Sequence, residues 1–247
     1  MILILSMDGC TEKDDLARLV RIRFKIGFTA KSAFWESGWA AESYSFTEGW
    51  IDIQKIQFEG KREAGEDVYF ETDPEINLPI IKFEAQPRRE QSSLISDFDI
   101  PQGIYDNMAW DITMKKMVTD KLIAYDDTDS LDIGLVINGS YNDIWGDSPY
   151  TIRILVAIDD TMQFSLRSYP RYGNPKIVIS ENRDNEAILY LDLYYTFSPI
   201  SRESIEEAEI SSDIDGEPIL IISSDKNKQL YENILYRISQ SAKVYVH

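Results

Sequence analysis

A chain of 247 residues accommodates one large all-β domain or two small ones. Its hydrophobic fraction of 43% is ample for a core, its 12% of aromatic residues suits strands, and its formal net charge of −18 argues against nucleic acid and against unaided approach to an anionic membrane. One cysteine excludes an internal disulfide and a multi-cysteine metal site, and one histidine, His247, excludes zinc chemistry on paired imidazoles and makes a poor partner for a Ser or Cys nucleophile, which leaves carboxylate chemistry, calcium or no catalysis.

Met1-Ile2-Leu3-Ile4-Leu5 is apolar, has no Lys or Arg before it, and is shorter than the roughly 7–15 residues of a secretory core. It runs into Ser6-Met7-Asp8-Gly9-Cys10, and then into Glu12-Lys13-Asp14-Asp15. The plain reading is an apolar N-terminus. Leu5 to Cys10, however, resembles a bacterial lipoprotein box, with Gly9 in the small position before Cys10. The residues that follow are similar to the Lys-acidic-acidic signal that sends lipoproteins of Bacteroidota-type bacteria to the outer face of the outer membrane. The resemblance implies that residues 1–9 are the remainder of a signal peptide, that Cys10 is the acylated mature N-terminus, and that residues 10–18 are an acidic tether. It places the protein on the cell surface at the outer membrane. A buried methylene contributes about 0.8 kcal/mol, so more than one acyl chain makes a stable anchor. No other segment approaches the roughly 20 apolar residues of a spanning helix. Residues 19–247 then read as a single β-sandwich-like domain, the alternative being a split near residue 130.

Val20 to Phe28 alternates apolar residues with Arg21, Arg23, Lys25 and Gly27, which predicts a strand with one wet face. Arg18, Arg21, Arg23 and Lys25 are either a binding patch or, the favoured reading, partners of acidic residues across a sheet. Tyr44 to Phe58 reads as a second long strand with a phase slip at Gln54-Lys55, a bulge or bend. A charged loop over 60–67 leads to strands at Val68–Glu71, Ile76–Ala85 and Ser93–Phe98. Ile100-Pro101-Gln102-Gly103-Ile104-Tyr105 is similar to an apolar-Pro-x-Gly-x-Tyr turn of β-sandwich lipoproteins that leads into a central strand, here Met108 to Met114, with Trp110 on its apolar phase.

Further strands are predicted at Ile133–Ser140, Tyr150–Ile158, Met162–Ser168, Lys176–Ser180 and Ala187–Phe197, with Asp159-Asp160 as a tight hairpin. Near the C-terminus, Ser204 and Glu207 form a capping-box pattern, Pro218–Ile222 is a buried strand, and Ser224 or Asp225 caps a helix with the stripe Leu230, Ile234, Leu235 and Ile238. Lys243 to Val246 is a last strand. The expected fold is mainly β: an antiparallel β-sandwich with a small C-terminal helical element.

Two features carry candidate chemistry. Asp127, Asp129 and Asp132 lie in a run of alternating carboxylates of the kind that ligates calcium, although the glycine and distal glutamate of an EF-hand are missing and a solvated acidic loop explains the run as well. Trp35, Trp39 and Trp145, the last beside Asp143, lie in loop-like segments where an indole stacks on a sugar ring or plugs the sandwich end. The function read from these residues is a cell-surface lipoprotein with a non-catalytic binding or structural role toward a glycan or a protein partner. The alternatives are a carboxylate-based, calcium-dependent glycan-active enzyme and a pilus or transporter-associated assembly subunit.

Overall fold

In the computed structural model, residues 16–29, 44–72, 80–84, 92–115, 117–118, 132–142, 151–158, 163–170, 176–198, 200–212 and 215–247 are described. Among them the chain is mainly strand, as expected, and the strands form two large sheets and one small one. Numbered in chain order, the nine-stranded sheet holds β1 (Leu19–Thr29), β3 (Ile53–Arg62), β4 (Val68–Glu71), β6 (Ser93–Pro101), β7 (Gly103–Met114), β12 (Gln163–Pro170), β13 (Ile177–Ile179), β14 (Asn185–Asp192) and β17 (Lys243–Val246). The six-stranded sheet holds β2 (Tyr44–Ile51), β5 (Ile81–Glu84), β10 (Leu135–Asn142), β11 (Thr151–Ile158), β15 (Ile210–Ser212) and β16 (Pro218–Ile222), while β8 (Met117–Val118) pairs with β9 (Asp132–Ile133). The three described helices are α1 (Leu193–Phe197), α2 (Arg202–Glu206) and α3 (Lys228–Ser241), and none is long and apolar enough to cross a membrane.

The large sheet runs β4-β3-β7-β12-β17-β14-β1-β6, with β13 also on β7. Its inner face carries the alternating residues of β1, Ile22, Phe24, Ile26 and Phe28, all without solvent exposure. Phe24 stacks on Trp110 with ring centroids 4.8 Å apart, and Phe58 and Phe98 tilt against the same indole. Trp110 is therefore core, and its Nε1 donates to Ser168 Oγ at 2.6 Å, which satisfies the one polar atom it buries. Phe70 of β4 stacks on Phe98 of β6 at 4.0 Å, so the two ends of the strand order meet and the sheet is strongly curled.

The six-stranded sheet faces the same core with Phe46, Ile51, Ile137, Ile154, Val156, Leu220 and Ile222. Its opposite face buries a second cluster, Trp50, Val136, Leu155, Ala157, Ile219 and Ile221. This explains the apolar runs Leu135 to Ile137 in β10, Ile154 to Ile158 in β11 and Ile219 to Ile222 in β16: a stretch covered on both faces has no polar phase.

The structure refines several expectations. Tyr44 to Phe58 is two strands, and the chain passes from one sheet to the other at Asp52, which is why Ile51 and Ile53 are both buried. The phase slip survives as a register shift between Ile53 and Lys55 on β7. Asp159-Asp160 lies outside the described residues, but β11 and β12 belong to different sheets and do not pair, so no hairpin joins them. The strand from Ala187 stops at Asp192, whose side chain caps α1 by accepting from the Tyr195 amide. Ser201, not Ser204, caps α2, and α3 starts at Asn227 in a left-handed conformation rather than at Ser224 or Asp225. Most ladders are antiparallel, with three parallel pairings, β1 with β14, β11 with β16 and β12 with β17, each requiring a long crossover that local alternation does not encode.

The turn before β7 has a specific construction. Tyr105 Oη donates to the Pro101 carbonyl at 2.5 Å. Gly103 sits at φ 146, a conformation open to glycine, and a Cβ there would stand 3.3 Å from Arg62 Nη2. Arg62 is buried, and its Nη2 donates to the Gln102 carbonyl at 2.8 Å and to the Leu16 carbonyl at 2.6 Å. The apolar-Pro-x-Gly-x-Tyr run thus supplies the seat for a guanidinium that also holds the start of the described chain.

Candidate functional site

Alternation puts Arg21, Arg23 and Lys25 of β1, Glu186, Ile188 and Tyr190 of β14, Tyr245 and His247 around β17, and Tyr169 of β12 on the outer face of the large sheet. Register aligns them in rows. Tyr169 stands beside Tyr245, Tyr245 beside Ile188, and Ile188 beside Lys25. The Tyr169 and Tyr245 rings are 6.3 Å apart and tilted 46°, and Tyr190 meets Tyr245 edge-on at 5.8 Å. Tyr190 and Ile188 are buried beneath this cluster, whereas Tyr169 is 49% exposed.

The next row along the strands is charged. Glu186 accepts from Lys25 Nζ at 2.5 Å and Arg23 Nη2 at 2.9 Å, and lies 3.4 Å from His247 Nε2. Burial pushes its carboxyl up, but Lys25, Arg23 and His247 outweigh this and hold it below the ordinary carboxylate range. An acid kept ionised by the Lys25 and Arg23 cations is a fixed anchor and a poor proton donor.

Beyond this row an open cleft of about 400 Å³ is lined by Arg18, Leu19, Val20, Arg21, Arg23, Glu181, Arg183, Asp184 and Asn185. The loop between β13 and β14 forms one wall, and Asn185 builds it. Asn185 is buried, its Nδ2 donates to the Ser180 and Arg183 carbonyls at 2.9 and 3.2 Å, and its Oδ1 accepts from the Ser180 amide. The expected cross-sheet partners of the basic residues are present: Arg18 with Glu181, Arg21 with Asp97 and Asp99, Arg23 with Asp184 and Glu186, and Lys25 with Glu186.

Cys10, Trp35, Trp39, Asp127, Asp129, Asp143 and Trp145 lie outside the described residues. Asp132 opens β9, opposite Val118, on the small two-stranded sheet. Among the described residues no group of three His, Cys, Asp or Glu is placed to hold a metal ion. The Asp52 carboxyl is raised on balance, burial pushing it up against the opposing pull of Lys115, and it sits at the crossover between sheets, away from the cleft. The tyrosine cluster was hidden in the sequence because Ala187 to Leu191 is apolar without a break and shows no wet face, and because Tyr169 and Tyr245 are 76 positions apart. Comparison with known proteins returns no matching family model, no matching curated protein and no matching solved structure.

Proposed function

We propose that this chain is a lipid-anchored surface protein without catalytic activity that binds a glycan on the outer face of its large sheet. The observation that carries the binding role is Tyr169: a ring half open to solvent, beside Tyr245 in a row that continues through Ile188 to Lys25, and next to a row of hydrogen-bonding side chains. A sugar ring has an apolar C–H face and a polar rim, and an exposed aromatic bordered by fixed charged groups complements both. Gly9-Cys10 and Lys13-Asp14-Asp15 support the location, through the lipoprotein-like box and the export-like signal. The glycan-active enzyme finds less support, since Glu186, the carboxyl in the row beside the tyrosines, is held ionised by cations and is a poor proton donor.

On a glycan array the purified protein is expected to bind, and Tyr169→Ala to weaken binding at least about tenfold with an unchanged far-UV circular dichroism spectrum. A flat array, or full binding by Tyr169→Ala, would overturn the binding role. Intact-mass analysis of natively expressed protein is expected to find an acylated Cys10 as the first residue. A free thiol on a chain still carrying Met1 would overturn the anchor.

A further inference from the structure

We infer that the arginine-lined cleft reads a carboxylate on the bound glycan, so that the ligand is an acidic oligosaccharide built on uronic acid units; this rests on the binding role proposed above. The cleft gathers Arg18, Arg21, Arg23 and Arg183 against two carboxylates, Glu181 and Asp184, in a chain whose formal charge is −18. So basic a local lining runs against the charge of the whole molecule, and guanidinium matches a carboxylate with two parallel donors.

Among the described residues Arg18, Arg21 and Arg23 are paired, and the quality of the pairs decides whether a ligand competes. Arg21 meets Asp97 and Asp99 at 3.5 and 3.6 Å, beyond the roughly 2.7–2.9 Å of a charge-assisted hydrogen bond, with its own side chain 66% exposed. Arg23 reaches Asp184 at 3.3 Å, and that carboxylate is almost fully solvated. Arg183 makes no ion pair among the described residues. Exposed pairs of this kind contribute little, so an incoming carboxylate displaces weak partners at Arg21 and meets a free guanidinium at Arg183.

Position supports the same reading. Asp184 at the cleft and Ile188 in the tyrosine row are four residues apart on or beside β14, about 13 Å at ~3.3 Å per residue. A short oligosaccharide laid along the strands therefore meets Tyr169 and Tyr245 with one ring and the cleft with another. Asn185 fastens the cleft wall through hydrogen bonds within the chain, so the site is preformed.

The test is titration calorimetry on the full chain with a trigalacturonate, its methyl ester and inorganic phosphate. The acid is expected to bind about tenfold more tightly than the ester, and Arg21→Gln with Arg183→Gln to remove that preference by bringing the acid down to the affinity of the ester. Raising the salt concentration is expected to narrow the gap. Equal affinity for acid and ester, or an unaltered preference in the double variant, would overturn the inference and leave the tyrosine reading standing. Binding of phosphate that displaces the acid completely while the ester never binds would also overturn it, because the cleft would then be a small-anion site. No binding of acid or ester, together with a flat glycan array, would instead remove the parent reading.

Discussion

Arg62 is the residue on which the base of the large sheet depends. Its guanidinium is buried without a carboxylate partner among the described residues and is held by backbone carbonyls, two of them, Leu16 and Gln102, at 2.6 and 2.8 Å. Truncation strands those carbonyls in a site that Gly65 and Gly103 shape around the side chain. Arg62→Ala is expected to destabilise the fold by about 2–4 kcal/mol in urea unfolding, and Arg62→Lys by roughly half as much, since one ammonium keeps the charge but not the fork. An alanine variant within ~0.5 kcal/mol of wild type would show that water replaces the guanidinium. Glu186 gives a prediction in pH. Its carboxyl is held below the ordinary value of 4.5, so its ion pairs stabilise the fold above that pH. Below pH 4.5 the unfolded chain takes up the proton first, and this stability fades as pH falls through the folded value. The stability gap between wild type and Glu186→Gln is expected to close as pH falls below about 4.5, read as urea midpoints across the acidic range. A gap independent of pH would show that packing, not charge, sets the role of Glu186.

At the scale of elements, strands with one wet face were legible and helix starts were not. β1 and β7 alternate cleanly, and the structure buries the phase that the sequence marks. Cap residues were misplaced because Ser201, Ser204, Ser224 and Asp225 are all competent by type, and only tertiary position selects among competent caps. Asn227 illustrates this. It adopts φ 56, where glycine is normally preferred, and its side chain makes no cap bond to its own helix. Instead Oδ1 accepts from the Glu209 amide at 2.8 Å, and Nδ2 donates to the Glu209 and Ile221 carbonyls at 2.9 and 2.7 Å. These bonds fasten the start of α3 to the end of β16 and to the segment before β15. Backbone preference alone predicts that Asn227→Gly stabilises the protein. Three hydrogen bonds at about 1 kcal/mol each exceed that relief, so Asn227→Gly is expected to cost about 1–2 kcal/mol and Asn227→Ala more, because it loses the bonds and keeps the strain. Urea midpoints in the order wild type, Gly, Ala support this account, and Gly above wild type would reject it.

At the scale of the whole molecule, the order of strands in space departs furthest from their order in sequence. Both large sheets take strands from each side of residue 130: β2 and β5 join β10, β11, β15 and β16 in one, and β1, β3, β4, β6 and β7 join β12, β13, β14 and β17 in the other. The candidate site shares this origin, since its rows combine residues from β1, β12, β14 and β17, and no local pattern places Tyr169 beside Tyr245 or Lys25 beside Ile188. The interleaving predicts one cooperative transition, with tryptophan fluorescence and far-UV circular dichroism coinciding during urea unfolding; separated transitions would reveal independent units. Within that unit the last strand has a distinct part. β17 lies between β12 and β14, parallel to one and antiparallel to the other, so both ladders of this four-residue strand connect β12 and β13's neighbour β7 on one side to β14, β1 and β6 on the other. Val244 and Val246 fill the core from it with at most 3% exposure. Burial of two valines contributes about 3–6 kcal/mol, and loss of the ladders leaves the edges of β12 and β14 unpaired. A domain of this kind has a net stability of about 5–15 kcal/mol, so removal of residues 243–247 takes most of it. The truncated chain is expected to lose its cooperative urea transition and to expose apolar surface that binds a hydrophobic dye, and a synthetic peptide covering residues 243–247 to restore the transition in part. A truncated chain that unfolds at the wild-type midpoint would mean that β12 and β14 close on each other without the C-terminal strand. Because β17 also brings Tyr245 into place beside Tyr169, the same truncation tests whether the outer face exists before the sheet is complete: glycan binding is expected to vanish with the transition and to return with the peptide.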